Sequence, residues 1–166
     1  MIFAGIIVLL LGVGVVLFYP REQVERPPLE TDLLFQHSDG DLQALVSPKA
    51  KVTLVNFWAT WCPPCIQELP SIERLYTAYK DKGLDVVGIN LDPEPKSAIQ
   101  RTRENFSLTF TLGTDPSQIL VDRYDIVGIP VTIFLDSKGE PLLIERGGRD
   151  WNSPEVRKRI DQWLSL

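Results

Sequence analysis

The chain has 166 residues, about one domain, with 17 basic and 22 acidic side chains and a net charge of −5. That balance argues against a nucleic-acid partner, which needs a basic face, and 44% apolar with 23% charged residues excludes disorder throughout. Two cysteines and one histidine exclude zinc centres built from four cysteines or from two cysteines and two histidines, and they exclude a disulfide-rich scaffold.

The first 18 residues behave differently from the rest. From Ile2 to Phe18 no side chain is charged or strongly polar. As a helix this stretch spans about 25 Å, close to a bilayer core of ~30 Å. Tyr19 would sit at the interface and Pro20 would end the helix. A cleaved signal peptide would need a basic start and small residues before the cut, whereas Val16, Leu17, Phe18 and Tyr19 are bulky. The expected organisation is therefore a transmembrane anchor over 1–19, a linker over 20–30 stiffened by Pro27 and Pro28, and one domain over 31–166. Arg21 and Arg26 follow the span and no basic residue precedes it, which taken alone would keep the domain in the cytoplasm.

Within the domain, 33–35 and 42–45 flank Asp39-Gly40 and predict a hairpin. Residues 51–58, KVTLVNFW, read as a strand buried on both faces. Ile66, Leu69, Ile72, Leu75, Tyr76 and Tyr79 recur at helical spacing over 64–80, with Gly83 as the stop. A second buried strand follows over 84–91, then a weaker helix over 97–106. Asp115-Pro116 predicts the opening of a short helix through Val121 and Tyr124. The run 131–135, VTIFL, reads as a third strand, turned by 137–140 into 141–145. Ser153 and Pro154 cap a last helix over 154–164. Strands alternating with helices imply an α/β fold: a mixed sheet flanked by helices, with an N-terminal hairpin added.

Both cysteines fall in Trp61-Cys62-Pro63-Pro64-Cys65. Random placement gives that spacing in about 1% of cases. The motif follows a buried strand and opens a helix, where unpaired N–H groups and the helix dipole favour a thiolate at Cys62. Cys62 is expected to be the exposed attacking sulfur and Cys65, one turn in, the more buried resolving one. Pro63 and Pro64 suit the first turn and withhold backbone donors from the Cys62 sulfur. A static bridge and a two-thiolate Cu(I) transfer site are the competing readings. No third soft ligand lies near in sequence, so no metal and no cofactor is expected.

The run 55–65, VNFWATWCPPC, followed by Glu68-Leu69-Pro70, resembles the membrane-anchored thioredoxin-like proteins of the TlpA/ResA type. Gly128-Ile129-Pro130-Val131-Thr132 is similar to that fold's second signature, and DSKGE at 136–140 to its hairpin. The resemblance implies a thioredoxin-like fold and thiol–disulfide exchange outside the cytoplasmic membrane, in the periplasm or at the cell exterior. It implies partner proteins carrying disulfides, in cytochrome c or metal-site assembly, and a thiol electron donor in the membrane. It implies a cis, substrate-facing Pro130 beside the cysteines, with the Ile129 backbone pairing with substrate; Trp61, as an aromatic at the rim, is expected to give partners an apolar contact, and Pro63 and Pro64 complete the expected substrate-contacting set. Thioredoxins often carry Asp where this chain has Asn56, which cannot take a proton from Cys65. The resemblance offers Asp92 and Glu94 in its place; the competing reading makes both of them solvated turn carboxylates. The expected role is to reduce those disulfides; an oxidising role differs from it only in potential.

Overall fold

The computed structural model describes residues 33–165. The expected anchor and linker, 1–30, lie outside them. Among the described residues no helix is long and apolar enough to cross a membrane.

Seven strands form one sheet: β1 (Leu34–His37), β2 (Leu42–Ala44), β3 (Val52–Trp58), β4 (Leu84–Asn90), β5 (Thr111–Thr114), β6 (Val131–Asp136) and β7 (Pro141–Arg146). Their order is β2-β1-β5-β4-β3-β6-β7. The centre, β5-β4-β3, is parallel, and β6, β7, β1 and β2 run antiparallel to their neighbours. The mixed sheet is as the periodicities predict. Every residue of β3 is buried, as its near-continuous apolar run, interrupted only by Thr53 and Asn56, leads one to expect.

Helices α1 (Pro63–Tyr79), α2 (Pro95–Phe106) and α4 (Pro154–Leu164) share one face of the sheet. Leu69, Ile72 and Leu75 of α1 join Ile99 of α2 and Val156, Ile160 and Leu164 of α4 over Leu54, Trp58 and Val86. The other face buries Phe35, Val55, Phe57, Ile89 and Ile133 beneath Leu120 and Tyr124, in and just after α3 (Ile119–Arg123). Helix α1 runs into a 3-10 turn (Lys80–Lys82) and stops at Gly83, whose φ of 108° is the left-handed conformation that glycine tolerates.

Two segments differ from the sequence reading. Strand β5 escapes it because its four residues, TLGT, are too short for a periodic signal and carry a glycine. Asp115-Pro116 is a loop rather than a helix start: the Asp115 carboxylate accepts from the N–H groups of Leu120 and Val121, each at 2.9 Å, and α3 begins only at Ile119. Gly113 also explains how β1 reaches β5. A Cβ there would lie inside the van der Waals radii of the Gln36 carbonyl and the Phe35 ring. Gly113→Ala should therefore cost about 2–3 kcal/mol of stability, read from the urea midpoint.

Candidate active site

The two sulfurs sit where the central sheet ends. Cys62 is the N-cap of α1 and Cys65 lies in its first turn. They are joined as a disulfide, Cα to Cα 5.3 Å apart. The Cys65 N–H points at the Cys62 sulfur, 3.3 Å away, so one of the helix's unpaired donors is already directed at the atom that would carry the charge. Pro63 and Pro64 occupy the next positions, exposed and without N–H groups. Cys65 has no exposed surface. Cys62, expected to be exposed, keeps only 5%. Its capping role explains this: the side chain folds back over the first turn, and the Ile129 carbonyl oxygen lies 3.7 Å from its sulfur.

That carbonyl belongs to the loop entering β6. The Ile129–Pro130 peptide is cis, the form the resemblance implies. Pro130 is buried and Ile129 half-buried. The Pro130 carbonyl accepts from the Gly147 N–H at 2.9 Å, which ties the loop to the end of β7. Two large apolar side chains stand exposed in the segments that carry the disulfide and this loop. Trp61 is 64% exposed beside Cys62, and Val127 is 85% exposed two residues before Ile129. Trp58, in contrast, is fully buried in the core.

A buried carboxyl lies one turn beyond Cys65. Glu68 is 3% exposed and on the sheet-facing side of α1. Its Oε1 accepts from Asn56 Nδ2 at 2.7 Å, and its Oε2 accepts from Trp151 Nε1 at 2.9 Å and the Arg149 N–H at 3.2 Å. Burial pushes its pKa above the ordinary carboxylate value, against the pull of the bonds from Trp151, Asn56 and Arg149. The segment 147–151 delivers two of those donors by crossing the first turn of α1. Gly148 lies so close that an added Cβ would stand 3.2 Å from the Pro64 carbonyl. Arg149 braces the segment, pairing with Glu145 at 3.3 Å and Glu155 at 3.5 Å, its guanidinium 5.5 Å from the Trp151 ring centre. A cleft of about 240 Å³, lined in part by Arg74, Arg149 and Asp150, opens beside Glu68.

A disulfide at a strand-to-helix junction under a cis-proline loop belongs to thioredoxin-like folds, and the sequence pattern of the AhpC/TSA family matches residues 29–140. The chain belongs to the AhpC/TSA family. It is similar to the thiol-disulfide oxidoreductase ResA of Halalkalibacterium halodurans, 32% identical over 131 residues that cover 79% of this chain and 74% of the relative. It is similar to the thioredoxin-like protein YneN of Bacillus subtilis, 34% identical over 171 residues that cover 98% and 96%. The crystal structure of StoA from Bacillus subtilis superposes with a TM-score of 0.62 at 26% identity, covering 78% of this chain and 93% of that one. This AhpC/TSA protein is a thiol–disulfide oxidoreductase with Cys62 and Cys65 as its dithiol pair.

The family's acid–base candidates are placed very differently from one another. Asp92, just past β4, is half-buried and fully engaged. It accepts from the Thr60 N–H at 2.9 Å, the Thr60 hydroxyl at 2.6 Å and Asn90 Nδ2 at 2.7 Å. It therefore holds the 59–61 loop, and Cys62 behind it, against the end of β4. Glu94 is an exposed residue at the start of α2. The buried carboxyl near the cysteine pair is Glu68, on α1 rather than after β4. The signal for it was its place three residues after Cys65 on the apolar side of α1, among Leu69 and Ile72. Trp151 both packs in the core and donates to Glu68. Asp92→Ala removes the acceptor of three donors and should cost about 1–3 kcal/mol, visible in the thermal midpoint, with faster hydrogen exchange at the Thr60 amide.

Proposed function

We propose that this protein is tethered to the cytoplasmic membrane by residues 1–19, faces the periplasm or cell exterior, and reduces disulfides of partner proteins there. The observation that carries the reading is the apolar rim at the disulfide. Trp61 presents a large exposed surface next to Cys62, and Val127 another two residues before Ile129, whose carbonyl lies 3.7 Å from the Cys62 sulfur, which suits a protein segment better than a small thiol. The exposed Gly128 and half-buried Ile129 lead into the cis peptide, where backbone groups lie within reach of a substrate strand. The names of the relatives as thiol-disulfide oxidoreductases support the class of reaction. The uncharged run 2–18 supports the tether, and the traffic of such disulfides supports the side of the membrane.

The chemistry runs as two exchanges. The Cys62 thiolate attacks one sulfur of the partner's disulfide, forming a mixed disulfide and releasing the other sulfur as a thiolate. The Cys65 thiol passes its proton to Glu68 and attacks the Cys62 sulfur. The Cys62–Cys65 disulfide forms, and the partner's second sulfur leaves and takes up a proton. Two electrons have moved to the partner, and the protein is left as the structure shows it. A dithiol donor in the membrane then restores it. Cytochrome c and metal-site proteins, whose cysteines must be reduced before they bind haem or copper, are the partner class.

The reduction potential tests the direction. Equilibration in graded dithiol buffers at pH 7 should give a value near or below about −270 mV. A value towards about −120 mV would make the protein an oxidant and overturn the reading.

A further inference from the structure

Glu68 is met by three hydrogen-bond donors. Trp151 Nε1 and the Arg149 peptide N–H can only donate. Asn56 spends both hydrogens of Nδ2, one on Glu68 Oε1 at 2.7 Å and one on Thr132 Oγ1 at 2.9 Å. This arrangement suits a carboxylate. A proton arriving on Glu68 Oε1 would oppose the Asn56 Nδ2 donor, at a site where unmade hydrogen bonds are costly.

One neighbour can reverse its polarity. The Asn56 amide carries its own acceptor, Oδ1, which is buried without a partner, on a residue with no exposed surface. Its two ends are nearly equal in size, so turning it over displaces nothing. Thr132, its register partner on β6, has a hydroxyl that both accepts and donates and can follow the turn.

We propose that Asn56 is a two-position amide switch that keeps Glu68 hydrogen-bonded in both of its protonation states. With Glu68 ionised, Nδ2 faces Glu68 and Thr132, as in the structure. When Oε1 takes up a proton, the amide turns by 180° about its terminal bond. Oδ1 then accepts from the Glu68 O–H and from the Thr132 hydroxyl. Each state has two hydrogen bonds from this amide and one unpartnered amide end, so the proton on Glu68 decides between them. Asn56 is thus a positioning residue: it lets a buried acid hold a proton without leaving its place on α1. It also reports the proton to Thr132, two residues past Pro130.

The charged groups around Glu68 are Arg74 on α1 and Arg149 and Asp150 between β7 and α4, with Glu145 and Glu155 paired to Arg149. Strands β3 and β6 present Asn56 and Thr132, which do not titrate, and Cys65 is held in the disulfide.

The test is NMR of the full chain in detergent micelles, oxidised, with Asn side-chain amides and Glu Cδ observed across pH. The Asn56 Nδ2 hydrogens should move between two end positions with the same midpoint as Glu68 Cδ. Glu68→Gln is the acid's mimic, because its Nε2 stands where the O–H would be. It should hold the Asn56 resonances at the low-pH wild-type position at every pH. Asn56 resonances that ignore the Glu68 titration overturn the proposal. Glu68→Gln resonances fixed at the high-pH position overturn it equally. Should that variant not fold, the wild-type titration decides alone. The readout involves no partner and no potential, so the result stands apart from the proposed direction of electron flow.

Discussion

Cys62→Ser should abolish disulfide reduction, while Cys65→Ser should leave the protein trapped on its partner. The asymmetry follows from where the two sulfurs sit. Cys62 is the helix cap, receives the Cys65 N–H at 3.3 Å and keeps the only opening to solvent of the pair. Its thiolate is the one stabilised by the helix terminus and the one a partner can reach. A serine there has no accessible anion at neutral pH, and activity should fall below about 0.1% of wild type. Cys65 has no exposed surface, so a partner's sulfur cannot reach it. Its role is intramolecular, and removing it blocks only the second exchange. A mixed disulfide through Cys62 should then accumulate, visible as a band on non-reducing gels that dithiothreitol dissolves. Equal loss in both variants with no trapped species would remove the assigned order of attack. Neither change should unfold the domain, because the bridge spans one helical turn that is also held by the α1 core residues Leu69, Ile72 and Leu75.

What the sequence made legible was whatever rests on local chemistry. The redox pair needed only two cysteines, a buried strand before them and an amphipathic helix after. The antiparallel ends of the sheet followed from turn residues at 39–40 and 137–140, and α4 starts at Pro154 because Ser153 caps it. What escaped depends on atoms far apart in the chain. Strand β5 has no pattern of its own and exists because β1 and β4 pair with it on either side. Glu68 is 12 residues from Asn56 and 83 from Trp151, so the pocket that holds its carboxyl cannot be read from spacing. In the sequence Asp92 and Glu94 follow a central strand, where the resemblance places an acid–base group. Asp92 instead spends both oxygens on Thr60 and Asn90. Asn56 looked like a missing acid. In the structure it is the link between an acid on α1 and the strand that follows Pro130.

Glu68→Gln should separate the chemical role of this carboxyl from its cost to the fold. Burial raises the folded-state pKa of Glu68 above its unfolded value. Between those two values the folded state binds more protons than the unfolded one, so stability from this group falls as pH rises. The cost is absent below the unfolded pKa, grows as pH rises through the folded one, and is constant above it. Glutamine does not titrate. The difference in urea midpoint between variant and wild type should therefore move in favour of glutamine as pH rises through the folded pKa, then level off. A difference independent of pH would mean that Glu68 titrates alike in both states. On the chemical side, Cys65 is sealed from solvent, so its proton needs a local acceptor. Glu68 lies one turn away on the same helix face, and a positioned base is worth about 10²–10⁴-fold. Losing it should slow resolution of a preformed mixed disulfide by at least about tenfold at pH 7, and the deficit should shrink at alkaline pH as hydroxide takes over. Attack by Cys62 on the partner should be nearly unchanged, because that sulfur draws on the helix terminus rather than on Glu68. A variant that slowed both steps equally would show that Glu68 shapes the site as a whole and does not serve Cys65.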